Sequence, residues 1–390
     1  PSLRQHQHQK QATVLVGMRR TGKTTLIQKL LEESSCQNKL YLDLERVEHR
    51  YLFQQPNYRE IEVGLAIEGL DLQQPALLAL DEIQLVPQIA SVLKYFYDTY
   101  GLKLLLSGSS SFYFRNRFSE SMAGRKRIFE LTPLNFREYL KMINRQSTWQ
   151  PAEPFQAVQP AALAKWGADF RQYLIWGGFP EVVLAQTDQD RKAYLSDILN
   201  AYIELDIKLL SDFEISDNLY RLIRLLGPRT GSRLDHSKLS SLSGIPRPKI
   251  KDYLTLLEHT YLIRLLPPFT QSPDREIASQ KKLYFSDNGL LQVLNIHEKG
   301  ALLENMVCNT LATMGDLRYW ARRSGQEIDF ILDHQWAFEV KYSPTAADLQ
   351  NLNRRAKSLN LKNSRLIGAE MPAENFKDFV WAGTLGWNNP

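Results

Sequence analysis

Cysteine is scarce in this sequence, and its scarcity excludes two common ways of stabilising a fold. The 390 residues contain only Cys36 and Cys308. Two cysteines cannot form a disulfide framework, and they cannot supply a cysteine zinc site. Hydrophobic cores must therefore hold the fold together, and a reducing compartment is the natural expectation.

Long hydrophobic runs are also missing. No apolar stretch reaches the roughly 18 residues that a membrane helix needs. The first residues are polar and include no apolar signal-peptide segment. We therefore expect a cytoplasmic protein without a membrane partner.

Charge of one sign is not in large excess. The sequence contains 48 Lys and Arg against 43 Asp and Glu, a net charge of +5, and 43% of its residues are hydrophobic. Such a composition is ordinary for a globular protein. A nucleic-acid partner is permitted but not indicated, because charge attracts a polyanion only where it is concentrated on one face. The length leaves room for two or three domains.

The clearest motif that is present is G-x-x-x-x-G-K-T at residues 17–24. A β-branched apolar run precedes it and a helical pattern follows it, which predicts a strand, a phosphate loop and a helix. Backbone N–H groups of such a loop surround a phosphate at a helix N-terminus. Lys23 is expected to reach the β- and γ-phosphates, and the Thr24 hydroxyl to bind Mg²⁺. The predicted nucleotide-binding residues of this segment are Gly17, Arg20, Thr21, Gly22, Lys23, Thr24 and Thr25.

A second motif places two carboxylates after a buried strand. Residues 75–80 are mostly apolar and lead into Asp81 and Glu82, as expected for a strand of a parallel sheet that is covered on both faces. Asp81 is expected to hold Mg²⁺ through its water shell, and Glu82 to orient the attacking water. Together with the phosphate loop, this predicts an ATPase that uses ATP and Mg²⁺. A kinase is disfavoured, because Glu82 follows Asp81 as water activation requires.

Further apolar segments at residues 39–44 and 101–106 complete the pattern of a doubly wound α/β domain with a parallel sheet. Ser107 follows the second segment, where it would either sense the γ-phosphate or cap a helix. A basic segment follows at residues 115–127. Within it, Arg125 is the candidate for neutralising charge on the departing γ-phosphoryl group. The alternative is that these basic residues form a solvated face.

The middle of the chain is predicted to be helical. Residues 144–165 are rich in Gln, Pro and Ala, which indicates a domain boundary or a long irregular loop. Gly178 and Pro180 interrupt the next amphipathic pattern and predict a sharp bend, which we assign to the surroundings of the adenine ring.

Residues 217–266 have the layout of a winged helix-turn-helix, in which helices and a tight turn precede a strand. Arg247, Lys249 and Lys251 would begin the recognition helix and are the predicted nucleic-acid-binding residues. Three basic residues make a small footprint for DNA. The alternative therefore stays open that this module packs on the ATPase domain as a lid.

The last third of the chain contains a pattern typical of a divalent-metal site. A predicted helix carries Glu304, and a predicted hairpin spans residues 327–341. Side chains alternate along a strand, so Glu339 and Lys341 share one side, where Asp329 of the neighbouring strand can meet them. Asp329 and Glu339 would hold Mg²⁺ with support from Glu304, while Lys341 would favour hydroxide formation. The alternative is an inert hairpin.

The order of these motifs resembles the bacterial and archaeal P-loop ATPases of the AAA-related, STAND-like group that carry a winged helix and a C-terminal restriction-endonuclease-like domain. The segments that carry the resemblance are residues 17–24, 80–84, 107–110, 123–125, 131–134, 178–181, 286–290, 304–305 and 324–341. The resemblance implies ATP binding and hydrolysis, a G-x-P element at Gly178 and Pro180 near the adenine, and a nuclease-like fold at the C-terminus.

The predicted fold class is α/β, and the chain is divided into four parts. They are a P-loop AAA-type ATPase domain (1–143), a linker and helical segment (144–215), a winged helix (216–270) and a restriction-endonuclease-like domain (271–390). The first functional hypothesis is an ATP-dependent switch coupled to a Mg²⁺-dependent nuclease-like domain that acts on nucleic acid. The second is a regulatory ATPase whose C-terminal domains bind protein partners without cleavage. An oligomer, and an arginine that acts across its interface, are left open.

Overall fold

The structure, a computed structural model, describes most of the chain. The described residues are 2–109, 122–145, 147–157, 159–207, 217–270, 279–322, 324–372 and 378–387. Arg115 and Arg117 of the basic segment lie outside them. No helix within these ranges is both long and apolar enough to cross a lipid bilayer.

The N-terminal part is built on a five-stranded parallel sheet. Its strands are β1 (Ala12–Val16), β2 (Lys39–Asp43), β3 (Leu77–Asp81), β4 (Lys103–Gly108) and β5 (Lys126–Glu130). They are ordered β2-β3-β4-β1-β5, and every neighbouring pair is parallel. The carboxyl ends of β1, β3 and β4 therefore meet at one edge of the sheet.

Helices cover both faces of this sheet. They are α1 (Ser2–His6), α2 (Lys23–Glu33), α3 (Val47–Leu52), α4 (Tyr58–Ile67) and α5 (Ile89–Tyr100). Alternate residues of a strand point to opposite faces, so β1 contributes Val14 to one hydrophobic cluster and Leu15 to another. The α/β class and the parallel sheet predicted for this part are confirmed.

A group of helices follows the parallel sheet. Their bounds are α6 (Phe136–Met142), α7 (Pro160–Trp176), α8 (Pro180–Leu184), α9 (Asp188–Ala201), α10 (Asp217–Leu226), α11 (His236–Ser243) and α12 (Arg247–His259). The Asp235 side chain caps α11 by accepting from two backbone N–H groups. Gly244 ends the same helix in the left-handed conformation, with φ of 75°, and so forms the tight turn predicted before α12.

A β-hairpin follows α12, and it corrects one predicted boundary. Strands β6 (Ile263–Leu266) and β7 (Lys282–Phe285) pair antiparallel. The boundary predicted at residue 270 would separate them, although each strand satisfies backbone hydrogen-bonding groups of the other. Both strands therefore belong to one module, which extends beyond residue 285.

The C-terminal part contains a mixed five-stranded sheet. Its elements are α13 (Asn288–Val293), α14 (Lys299–Ala312), β8 (Leu317–Ala321), β9 (Glu327–Leu332), β10 (Trp336–Lys341), α15 (Ala346–Ser358), β11 (Asn363–Gly368) and β12 (Phe379–Trp381). Strands β8, β9 and β10 are antiparallel neighbours, and β11 and β12 continue the sheet in parallel from β10. The predicted hairpin is therefore present as β9 and β10.

The hydrophobic cores divide the molecule differently from the sequence-based domains. The parallel sheet has its own clusters, whereas a single cluster continues from Phe136 through the helices and the hairpin to Trp387. Met18, next to the first glycine of the phosphate loop, belongs to this second cluster and is 2% exposed. The phosphate loop thus touches both halves of the molecule.

Candidate nucleotide site

The phosphate loop leaves β1 at Gly17, and the geometry there requires glycine. The φ of Gly17 is 150°, and a Cβ at this position would lie 2.1 Å from the carbonyl oxygen of Leu131. That close approach is fixed by a hydrogen bond of 2.7 Å from the Leu131 N–H to the carbonyl of Val16. The first glycine of the motif therefore lets the segment after β5 pack against the loop.

Thr24 and Asp81 meet at the sheet edge, as their positions after β1 and β3 predict. The Thr24 hydroxyl donates to Asp81 Oδ2 at 2.6 Å, and the Tyr41 hydroxyl donates to the same oxygen at 3.1 Å. Ser107 donates to the other carboxylate oxygen. Hydroxyl and carboxylate oxygens are the ligands that Mg²⁺ prefers, so this donor set fits the expected ion.

Glu82 is held beside Asp81 in an unusual conformation. Its φ is 55°, in the left-handed region, and its backbone N–H donates to the Ser107 hydroxyl at 3.1 Å. The Gln84 amide donates to the Glu82 carboxylate and, at 3.1 Å, to the Ser109 hydroxyl. Burial raises the pKa of Glu82 above its ordinary value, against the opposing effect of the nearby Lys23. A carboxylate with a raised pKa is suited to accept a proton from water.

The remaining loop side chains point in different directions. Lys23 is 3% exposed and donates to the carbonyl oxygens of Gly17 and Met18 at 2.9 and 3.0 Å. Thr21 donates to the Met18 carbonyl at 2.9 Å. Arg20 instead leaves the loop and forms an ion pair of 2.6 Å with Glu181 of α8. Thr25 is exposed in the first turn of α2.

The bend at Gly178 is held by backbone contacts. Its carbonyl accepts from the Leu134 N–H at 2.8 Å, and its N–H donates to the Asp287 carboxylate at 2.7 Å. A Cβ at Gly178 would lie 2.1 Å from the Leu134 carbonyl oxygen. Pro180 begins α8. Packing alone explains this glycine, and proximity of Gly178 and Pro180 to an adenine stays a prediction.

A cleft opens between the phosphate loop and the rest of the chain. It is bounded by Met18, by the segment 130–135 after β5, by Tyr173 and Gly177 of the helical part, and by residues of α14. Gly178 and Pro180 do not line it. Residues that are distant in the sequence, from the phosphate loop to α14, therefore line one cleft.

The assignment of Arg125 has to be corrected for its own chain. It directly precedes β5, whose first residue pairs with Ala12 at the start of β1, whereas the phosphate loop follows the end of β1. Four residues of strand separate these levels by roughly 13 Å. Arg125 forms an ion pair of 2.8 Å with Asp98 at that far edge. It would approach a γ-phosphate only across a subunit interface.

The three predicted nucleic-acid-binding residues lie in the first turns of α12. Arg247 and Lys251 are exposed on one side, since they are four residues apart. The Lys249 ammonium lies 5.5 Å from the centre of the Tyr253 ring. Burial lowers the pKa of the neighbouring His236, the charges of Lys251 and Arg247 lower it further, and the charge of Asp235 opposes them.

The predicted acidic residues of the C-terminal part do come together, but a lysine lies among them. Lys282 of β7 is 3% exposed, and its Nζ lies 3.3 Å from Glu304 and 3.9 Å from Asp329. It also forms an ion pair with Glu327. Burial lowers the pKa of Lys282, but the three carboxylates outweigh this effect and raise it overall. Lys282 is therefore charged.

The carboxylates of this cluster do not fit a divalent metal in this arrangement. Asp329 Oδ2 accepts from the Val340 N–H at 2.8 Å, and the two oxygens of Glu339 pair with Lys341 at 3.1 Å and Arg355 at 3.3 Å. Within the described part of the chain, no three His, Cys, Asp or Glu side chains are arranged to hold a metal ion. The expectation that Glu304, Asp329 and Glu339 form a Mg²⁺ site is corrected accordingly.

Three residues that contact the predicted site residues are missing from the sequence-based set. Gln84 was within reach of sequence reasoning, because it lies two residues after Glu82. Lys282 was not, since 22 residues separate it from Glu304 and 47 from Asp329, and no periodic pattern connects them. Tyr41 was likewise not recognised, because it lies within strand β2 and outside any motif.

Three family models match the chain. Residues 9–140 match an AAA domain, residues 167–300 a domain of unknown function (DUF8612), and residues 299–385 another domain of unknown function (DUF4143). The N-terminal part is thus a P-loop AAA-type domain, as its sheet order and site geometry indicate. The second match spans the hairpin of β6 and β7, which agrees with the boundary correction.

Curated relatives match most of the chain at low identity. An uncharacterized protein of Methanocaldococcus jannaschii, MJ1544, is 24% identical over 370 residues, which cover 90% of this chain and 80% of the relative. An uncharacterized protein of Haemophilus influenzae is 24% identical over 366 residues and covers 90% and 86%. Rv2008c of Mycobacterium tuberculosis is 24% identical over 386 residues and covers 94% and 78%.

Solved structures with some similarity include an ORC1 protein in complex with DNA and a DnaA protein bound to AMPPCP. Aeropyrum pernix ORC1 in complex with DNA has a TM-score of 0.35 and 11% identity, and the match covers 76% of this chain and 87% of ORC1. AMPPCP-bound DnaA of Aquifex aeolicus has a TM-score of 0.28 and 15% identity, with coverage of 66% and 86%. At these TM-scores, we base no functional conclusion on either structure.

Proposed function

We propose that this chain is an ATP-binding and ATP-hydrolysing molecular switch. The observation that carries the proposal is the meeting of Thr24, Asp81 and Glu82 beside the phosphate loop, at the carboxyl edge of a parallel sheet. The AAA domain matched at residues 9–140 supports it.

The residues of this edge have separate tasks. Thr24 and Asp81 hold Mg²⁺, which neutralises phosphate charge when it is bound. Lys23 binds the β- and γ-phosphates from within the loop, and Glu82 orients the attacking water and takes its proton. Gln84 fixes the Glu82 carboxylate through their hydrogen bond, so that the base is already positioned when ATP arrives.

The contacts of the phosphate loop with the second half of the chain make a switch plausible in physical terms. Arg20 pairs with Glu181 of α8, and Met18 packs in the core that reaches the C-terminus. A nucleotide shifts a conformational equilibrium only through a difference in its affinity for the two states. Loop contacts that change when phosphates bind supply that difference.

Replacement of Lys23 by alanine tests the enzymatic half of the proposal. We expect Lys23→Ala to abolish ATP turnover, because the cation that binds the β- and γ-phosphates is lost. The measurement is phosphate release with Mg²⁺. The matched control is Lys29→Ala, since Lys29 lies on the same helix but is exposed and forms an ion pair of 3.8 Å with Glu32. Wild-type turnover in Lys23→Ala would refute the proposal.

For the second half of the chain, we propose a winged helix formed by α10, α11, α12 and the hairpin of β6 and β7. The antiparallel pairing of that hairpin directly after α12 supports this assignment. Exposed Arg247 and Lys251 at the start of α12 favour binding of a DNA backbone there.

The C-terminal domain could belong either to a nuclease or to a regulatory ATPase that does not cleave, and one observation favours the second hypothesis. The helix α14, the strands β8 to β10, α15 and β11 follow one another as a restriction-endonuclease-like fold requires, which supports that assignment. The position of Lys282 among the carboxylates favours a regulatory ATPase without cleavage over a nuclease. The partner of such a regulator is DNA or a protein.

ATP turnover with and without DNA distinguishes these partners. We expect duplex DNA to stimulate turnover, and the double variant Arg247→Ala/Lys251→Ala to bind DNA more weakly with a shallower salt dependence, because two phosphate contacts are lost. Lys357→Ala, an exposed lysine of α15, serves as the control. DNA binding that is unchanged in the double variant would show that Arg247 and Lys251 do not contact DNA. ATP turnover that duplex DNA leaves unchanged would instead favour a protein partner.

A further inference from the structure

Lys282 is a buried charged residue whose partners no sequence pattern predicts. It lies on β7, in the hairpin that follows α12, yet its ammonium group is enclosed by carboxylates from other elements. Glu304 comes from α14, and Glu327 and Asp329 come from β9. The ammonium group of Lys282 also lies over the ring of Tyr319 of β8, with Nζ 5.6 Å from the centre of the ring.

Each carboxylate of the cluster has partners within the chain. Glu304 accepts from the Tyr284 hydroxyl at 2.7 Å as well as from Lys282. Asp329 accepts from a backbone N–H, and Glu339 pairs with Lys341 and Arg355. Four carboxylates thus meet three cationic side chains. A buried charge is tolerated where it is paired and hydrogen-bonded, and this cluster meets that condition without any added ion.

Backbone hydrogen bonds also join the hairpin of β6 and β7 to the C-terminal domain. The Tyr319 N–H donates to the Pro267 carbonyl at 3.1 Å, and the Phe269 N–H donates to the Tyr319 carbonyl. Pro267 and Phe269 directly follow β6, so the hairpin continues onto the edge of the C-terminal sheet. Lys282 therefore adds a charged contact to a junction that is already hydrogen-bonded.

We propose that the carboxylates of Glu304, Glu327 and Asp329 form a binding site for the ammonium group of Lys282, which anchors the hairpin to the C-terminal domain, and that they are not a divalent-metal centre. The amine takes the place that a metal ion would need, because Nζ lies between Glu304 and Asp329. The cluster is an internal docking site for one particular lysine. This inference is independent of ATP hydrolysis.

Acetylation of lysines in the native full-length chain tests the docking. Lys281 is exposed and Lys282 is buried, so these adjacent residues form a matched pair within one peptide. With an N-hydroxysuccinimide acetate reagent and mass spectrometry, we expect Lys281 to be modified and Lys282 to be protected. The variant Glu327→Gln/Asp329→Asn is expected to lose that protection. Modification of both lysines at equal rates in the wild type would overturn the proposal.

Titration with Mn²⁺ tests the metal half. We expect the wild type and Asp329→Asn to give the same heats, since any ion bound at the phosphate loop contributes equally to both. An Mn²⁺ site that is present in the wild type and lost in Asp329→Asn would overturn the proposal. Both measurements use the wild type as the reference, and a failure of ATP turnover affects neither.

Discussion

At the scale of the residue, burial decides the chemistry of the charged groups. Glu82, Asp287 and Lys282 are all buried, but their pKa values respond differently. Burial raises the pKa of the two acids, whereas surrounding carboxylates reverse the effect of burial for the lysine. Glu82 is thereby suited to act as a base beside the phosphate loop. Asp287 titrates in a pH range that experiments can reach, and Lys282 stays charged and can act as an anchor.

Asp287 provides a test of this balance. Burial raises its pKa to about 6, although it accepts from the N–H groups of Gly178 and Gly289. The folded-state pKa lies above the unfolded value of 3.8, so the protonated form of Asp287 is favoured in the folded protein. Its contribution to the free energy of unfolding is therefore complete below about pH 4 and is lost as the pH rises through 6. A shift of this size corresponds to roughly 3 kcal/mol.

We therefore expect the free energy of unfolding of the wild type, relative to Asp287→Asn, to fall by that order between pH 4 and pH 7. The measurement is urea unfolding of both proteins at a series of pH values, because the difference between them removes the other titrating groups. A difference that is constant over this range would contradict the assignment.

At the scale of the element, close backbone contacts set where the segments join. The loop after β5 contacts the phosphate loop at Gly17 and the helical part at Gly178, and each contact leaves no room for a Cβ. The segment 131–134 is thus enclosed between two glycines. Its conformation connects the parallel sheet with the helices.

Gly178→Ala tests this connection. We expect a loss of roughly 3 kcal/mol, because the new Cβ would meet a backbone oxygen that cannot move independently. Gly167→Ala is the matched control. Gly167 lies inside α7, where a Cβ would only approach the end of the Arg171 side chain at 3.8 Å, so alanine should stabilise that helix by up to about 1 kcal/mol. Equal melting temperatures of the two variants would show that the contact is not tight.

The elements also show how far sequence reasoning reaches. Thr24 and Asp81 were predictable, because two parallel strands with clear motifs bring their carboxyl ends to one edge. Arg125 was misplaced because β5 is a half-exposed edge strand rich in Lys, Arg and Glu, without the apolar run that reveals a strand. Lys282 could not be assigned, since its partners are defined only by tertiary packing.

At the scale of the whole molecule, two hydrophobic cores meet at the phosphate loop. Met18 belongs to the core of the helical and C-terminal parts, although β1 of the parallel sheet, which contributes to the clusters of that sheet, ends only two residues earlier at Val16. Coupling between sites requires an element whose arrangement both sites influence. Met18 lies where such an element would have to be, because it adjoins the first glycine of the phosphate loop and packs in the core of the second half of the chain.

Calorimetry of the full chain tests this coupling. A ligand that binds only the folded state raises stability by about 2.7 kcal/mol at a concentration 100 times its dissociation constant. We expect a non-hydrolysable ATP analogue to raise the unfolding temperature of both cores, because the loop packs into each. Lys23→Ala should show no shift. If only the parallel-sheet domain is stabilised, the two cores are independent.

The pairing of Arg20 with Glu181 has a consequence for solution conditions. Both side chains are about half exposed, so dissolved ions screen their attraction, and such a pair contributes less than about 1 kcal/mol. The burial of Met18 is not weakened by screening. The interface between the phosphate loop and the helices therefore combines an ion pair that weakens as ionic strength rises with a hydrophobic contact that does not.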